Sequence, residues 1–233
     1  MLNRAVRYFP ILRQLREHVH DGASVLEVGS GAVGLGEFHA QRFVGCDVAF
    51  VARPAAPMLP VLTTATMLPF RDRCFDAVVA SDVLEHVPPE HRAAVVAEGL
   101  RVAREVAIFG FPSGSQAFEY DLKLAKAYEA VQQELPVWLQ EHRQHPFPTE
   151  NLFQQVEGEW IVRSFGNDNL YFHYFMMRAE MYRVLNYSFR TLLGLLPKVV
   201  EVSLKYLDRA PYYRKIVVVK RRGAAGARAN CQS

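Results

Sequence analysis

The chain has 233 residues, half of them hydrophobic and 22% charged, with a formal net charge of +3. That is enough apolar material for one α/β domain with an elaboration, and so small a charge gives no argument for a nucleic-acid partner. Cys46, Cys74 and Cys231 are widely spaced and odd in number, which excludes a disulfide framework or a zinc spacing and leads us to expect a reducing, cytoplasmic setting. Residues 1–8 lack the apolar core of a signal peptide, and no apolar run approaches the roughly 18 residues of a membrane span. Apolar residues at Val6, Phe9, Leu12, Leu15 and Val19 recur at helical spacing, predicting a helix over residues 4–18 despite Pro10. Strand candidates follow at 24–28, 43–47, 61–63, 77–81 and 106–111, with a helix over 90–103 between the last two. Strands alternating with helices predict parallel pairing with right-handed crossovers.

Beyond Pro112 the pattern changes. A helix is predicted over 121–135, then a proline- and histidine-rich segment containing Trp138, His142 and His145, then a short helix capped by Thr149 that ends at Gly158. Two further strands are predicted at 160–165 and 212–220, with about 45 residues between them. The tail over 223–233 is Gly, Ala and polar residues with little to bury, and is expected to be flexible.

Val25 to Gly36 read Val-Leu-Glu-Val-Gly-Ser-Gly-Ala-Val-Gly-Leu-Gly, an apolar strand entering a glycine-rich turn. Gly29-x-Gly31-x-x-Gly34 matches the dinucleotide fingerprint, whose glycines let the backbone approach a pyrophosphate. A carboxylate at Glu27 would repel a pyrophosphate but would stabilise the sulfonium and ammonium of S-adenosylmethionine. Asp47 closes the next strand at the offset of a ribose-binding acid and suits either cofactor. In such sheets ligands lie at the carboxyl ends of the strands, where Glu27, Asp47, residues 64–67, 81–86 and 112–115 gather.

Leu68-Pro69-Phe70, Phe75-Asp76 and Leu84-Glu85-His86 follow these motifs. From about residue 24 to 112 the chain resembles the class I S-adenosylmethionine-dependent methyltransferases, in their small-molecule branch. The resemblance implies a Rossmann-like, doubly wound, mostly parallel seven-stranded α/β sheet with an antiparallel edge strand. With it goes a single domain over 1–222: a core at about 20–112, a lid or acceptor segment at 113–158 and a helical insertion at 167–210. It implies S-adenosylmethionine as cofactor, bound by Glu27, Gly29, Ser30, Gly31, Asp47, Val48, Thr66, Met67 and Ser81. Relatives often carry an acid at the position of Thr64, so adenine here is left to backbone groups, a threonine hydroxyl and apolar contact. His86 is either a general base or a brace for its loop. Asp76 reads as a turn cap.

No metal ligand set is predicted, since His142-x-x-His145 lacks a third member. The expected acceptor is a small molecule or a lipid- or glycan-linked group. The Asn-Pro-Pro-Tyr type motif of enzymes that methylate nucleic-acid bases is absent, and Ser81-Asp82-Val83-Leu84 stands in its place. An NAD-dependent oxidoreductase and a non-catalytic cofactor-binding protein remain as alternatives. The insertion mixes aromatic and aliphatic residues with Arg178, Arg183, Arg190, Lys198, Lys205 and Arg209. It suits a membrane surface, a lipid-like acceptor, cover for a sheet edge or a homodimer interface.

Overall fold

The computed structural model describes residues 2–156, 158–182 and 208–223. Among these, seven strands form one sheet: β1 (Val25–Val28), β2 (Phe43–Asp47), β3 (Met58–Leu62), β4 (Phe75–Ser81), β5 (Ala103–Pro112), β6 (Trp160–Asn169) and β7 (Tyr212–Arg221). Their spatial order is β3-β2-β1-β4-β5-β7-β6. The first five run parallel, whereas β7 pairs antiparallel with both β5 and β6. The reversed strand is thus second from the edge, and β6 forms the edge itself. The strand order reverses between β1 and β4, and the carboxyl ends on either side of that point leave a crevice.

Residue parity explains the two layers of core. Leu26, Val78, Ala80, Phe109 and Val217 pack on one face with Val95, Val96 and Val102 of α2 (Arg92–Val102). Val25, Ala77, Val79, Ile108 and Val218 pack on the other with Tyr8, Ile11, Leu12 and Leu15 of α1 (Leu2–His18). Every residue of β1 and β4 is buried, as expected for strands covered on both sides. Pro10 sits inside α1 without ending it.

A helical cap stands over the carboxyl end of β5 and the amino end of β7. It comprises α3 (Gly114–Ala130), α4 (Val137–His142) and α5 (Leu170–Glu180), joined through Leu124, Tyr128, Leu139, Met177 and Met181. The helix expected over 121–135 starts seven residues earlier and ends at Ala130, where Val131 leaves helical geometry and Gln132 takes a positive φ of 53°. The segment after Thr149 forms only a short 3₁₀ turn, Glu150–Phe153. Asn169 caps α5 by accepting from the backbone N–H of Tyr171 and Phe172. The rest of the predicted insertion, 183–207, and the tail beyond 223 lie outside the described residues. No described helix is long and apolar enough to cross a membrane.

Candidate active site

The turn after β1 is shaped by its glycines. Gly29, Gly31 and Gly34 have φ of 70°, 55° and 49°, a region that costs any residue with a Cβ. A side chain at Gly29 would overlap Val83, whereas one at Gly31 would meet open space, so the Gly31 backbone faces the crevice bare. The N–H groups of Gly29 and Ser30 both donate to the Cys46 carbonyl, at 2.8 and 3.1 Å, tying the turn to β2.

Beyond this turn opens a cavity of about 960 Å³. Of the residues expected at the cofactor, Gly29, Ser30, Gly31, Asp47, Val48 and Thr66 line it, as does His86. Asp47 Oδ2 accepts from the Gly31 N–H at 2.8 Å, and its Oδ1 is only weakly engaged, 3.4 Å from the Ala49 nitrogen. Thr63 donates to the Met67 carbonyl at 3.0 Å, closing a hydroxyl-rich loop whose residues 63–66 form the far wall.

Three expected residues lie elsewhere. Glu27 is fully buried: Oε1 accepts from the Tyr8 hydroxyl at 2.8 Å and Oε2 from the Leu35 N–H at 2.6 Å. It shares the parity of Val25, so it turns under α1 and braces the glycine loop from below instead of touching a ligand. Burial pushes its carboxyl up to about 7, against the pull of those two donors. The electrostatic argument that set Glu27 against a pyrophosphate therefore does not act in the cavity. Ser81 has the parity of Ala77 and Val79, and its hydroxyl is buried beside Gly110 without a hydrogen-bond partner among the described residues. Met67 is 74% exposed and stands outside the cavity wall.

On the opposite side the wall is polar and comes from distant parts of the chain. Arg7 of α1 pairs with Asp82 at 2.8 Å, and Arg214 of β7 reaches the same carboxylate. His86 ends the short 3₁₀ turn after β4, with Nδ1 2.8 Å from Glu141 of α4. Burial and the neighbouring His142 hold the His86 imidazole below its ordinary pKa, with Glu141 opposing. A second pocket of about 250 Å³ shares Arg7, Asp82 and His86 with the main cavity and extends to Trp138, His142, His173 and Tyr213. His142 is buried, with Nδ1 2.7 Å from Asp121, which also accepts from the Tyr213 hydroxyl at 2.9 Å. His173 stacks on Tyr213 with ring centroids 3.5 Å apart and is held by Asp168 at 2.7 Å.

The sequence reading missed Arg7, Asp82, Glu85, Asp121, Glu141, Tyr213 and Arg214. Asp82 and Glu85 lay inside a motif already singled out. Asp121 and Glu141 look like ordinary helix-surface acids, and nothing local marks Tyr213 or Arg214 in an apolar strand. His145 takes no part in either pocket.

Residues 26–111 match the family model described as a methyltransferase domain. That stretch, from β1 to β5, is a methyltransferase domain with the class I, S-adenosylmethionine-dependent core. Solved structures of this fold include a methyltransferase from Archaeoglobus fulgidus described as SAM-dependent, 13% identical, with a TM-score of 0.53 and 95% of both chains covered. A Galdieria sulphuraria protein provisionally described as a sarcosine dimethylglycine methyltransferase is 11% identical at a TM-score of 0.55, with 94% of this chain and 86% of that one covered. Phosphoethanolamine N-methyltransferase 2 of Haemonchus contortus, in complex with phosphomonomethylethanolamine and S-adenosylhomocysteine, is 13% identical at 0.53. That match covers 94% of this chain and 53% of the other. At these identities the likeness is one of fold. No curated protein matches the chain.

The cofactor is S-adenosylmethionine, and the dinucleotide alternative falls with the family match. The site residues fit that cofactor: bare backbone at Gly31, a carboxylate with a weakly engaged oxygen at the end of β2, and the hydroxyls of Thr63, Thr64 and Thr66 at the far end. The methyltransferase would hold the ribose at Asp47, the methionine end at the Gly29–Gly31 turn and the adenine beside Thr64 and Thr66.

Proposed function

We propose that this methyltransferase methylates a hydroxyl of a small molecule seated in the second pocket, with His86 taking the proton. The observation that carries the reading is the position of His86, on the wall of both pockets. S-adenosylmethionine, when bound, supplies a methyl group on a positive sulfur, ready for in-line displacement.

The residues of the chain then have three tasks. Trp138, Tyr213 and Arg7 bound a space of about 250 Å³, which suits a small ring or short polar chain. A lipid- or glycan-linked acceptor would have to enter by its terminal group alone, so we favour the free small molecule. Asp82, held by Arg7 and Arg214, anchors the strand end that aligns the two pockets. His86, kept neutral near neutral pH by burial, donates its Nδ1–H to Glu141 and has Nε2 left to accept a proton. Glu141 then stabilises the imidazolium.

Loss of a general base costs about 10²–10⁴-fold in rate. His86→Ala should lower turnover on a hydroxyl acceptor by that factor while S-adenosylhomocysteine affinity, measured by calorimetry, stays within about twofold. A wild-type rate in the variant would return His86 to a loop-bracing role.

A further inference from the structure

We propose that Glu85, His86 and His142 form a binding site for a divalent transition-metal ion where the two pockets meet. One ligating atom from each of the three lies within 4.8 Å of the others, and Glu85 Oε1 is 3.9 Å from His142 Nε2. Around a tetrahedral ion with bonds of about 2.0–2.1 Å, neighbouring ligand atoms stand about 3.4 Å apart. The Glu85–His142 pair has about half an ångström to close, and the His86 ligand atom lies within 4.8 Å of both.

The independent observation is the state of Glu85. It is fully buried, and neither carboxylate oxygen has a hydrogen-bond partner among the described residues. A buried carboxyl with nothing to bond is costly whether ionised or protonated, because even the acid form needs an acceptor for its hydroxyl. Of the nearby cations, Arg7 pairs with Asp82 and Arg92 gives its Nε–H to the Val87 carbonyl while its Nη2 stays buried and unpartnered, so neither hydrogen-bonds Glu85 among the described residues. An ion between Glu85 and the two imidazoles removes the deficit.

The outer partners are those of a metal site. Asp121 takes Nδ1 of His142 at 2.7 Å and is itself fixed by Tyr213, while Glu141 takes Nδ1 of His86 at 2.8 Å. Each carboxylate holds the proton on Nδ1 and leaves the Nε2 lone pair for an ion, which orients the ligand and raises its basicity. Two imidazole nitrogens and one carboxylate oxygen suit zinc, iron(II), cobalt or nickel better than magnesium or calcium. Three protein ligands would leave a coordination position for an outside ligand. The proposal rests on the reading of the second pocket as the acceptor site: an ion held there would bind the acceptor hydroxyl and lower its pKa, whereas in the metal-free chain His86 Nε2 is the base.

The test is calorimetric titration of the chelator-treated full chain with zinc chloride, and of a second sample with cobalt(II) followed by visible absorption. We expect one ion per chain and cobalt bands that added zinc displaces. Glu85→Gln and His142→Ala should each weaken zinc binding by more than 100-fold, and Asp121→Asn by about 10–100-fold. Melting curves establish that each variant folds, and the cobalt spectrum of the wild type serves if one does not. Absence of saturable zinc and cobalt binding to the wild type overturns the proposal, as does unchanged affinity in a folded Glu85→Gln variant. S-adenosylhomocysteine titrated into the same samples separates the two readings. Metal binding without S-adenosylhomocysteine binding refutes the methyl-transfer reading alone, and the reverse refutes the metal site alone.

Discussion

Replacing Glu27 by glutamine should remove a pH dependence from the stability of the fold. Glu27 lies fully buried between α1 and the glycine loop, and burial raises its carboxyl from 4.5 to about 7. The folded chain therefore holds this proton more tightly than the unfolded one. The resulting stabilisation is complete below pH 4.5 and is lost as the pH rises to about 7. A shift of that size corresponds to about 3 kcal/mol, an upper figure for a fully buried group. The glutamine keeps a carbonyl oxygen for the Leu35 N–H, and Tyr8 can accept from its amide, so the variant should fold. Urea unfolding of both proteins from pH 4.5 to 8 at constant ionic strength gives the comparison. Wild type should lose about 3 kcal/mol relative to the variant between pH 4.5 and 7, with no further change above that. Curves that stay parallel across the range would refute the placement of an ionisable Glu27 in this buried position.

Two further substitutions test the cofactor wall. Asp47→Ala removes the acceptor for the Gly31 N–H and the carboxylate at the end of β2. It should weaken S-adenosylhomocysteine by about 1.5–3 kcal/mol, or about 10–150-fold by calorimetry; unchanged affinity would take Asp47 out of the ribose role. Gly29→Ala forces a Cβ into Val83 at a φ of 70°, where the left-handed backbone alone costs about 1–2 kcal/mol. Both the melting temperature and the S-adenosylhomocysteine affinity should drop, and wild-type affinity in a folded variant would show that the turn does not depend on this glycine.

Much of the framework was legible in local pattern. Strand β2 forms over the predicted residues 43–47; β1 is one residue shorter than predicted, β4 two residues longer and β5 four residues longer. Alternation and glycine spacing are properties of neighbouring residues, and strand pairing only has to satisfy them. Strand β3 runs over Met58–Leu62, three residues ahead of the expected start, because Pro60 lies in an edge strand that tolerates it. α3 was misplaced because its buried face includes Asp121, which an apolar periodicity cannot count.

The amino-acid sequence alone determined the α/β order, the glycine turn, the acid at the end of β2 and the family motifs between residues 68 and 86. Each is written in a stretch short enough for backbone geometry to be set by near neighbours. The tertiary structure decided which way Glu27 and Ser81 point, since α1 covers one face of the sheet and parity sends both beneath it. It also decided the polar half of the site. Asp82 meets an arginine 132 positions away, and Asp121 meets a tyrosine 92 positions away. Those partners come together only when β7 inserts between β5 and β6 and the cap closes over it. Until then each is an unremarkable charged or aromatic residue, because what gives it a role is a desolvated neighbour that local sequence does not contain.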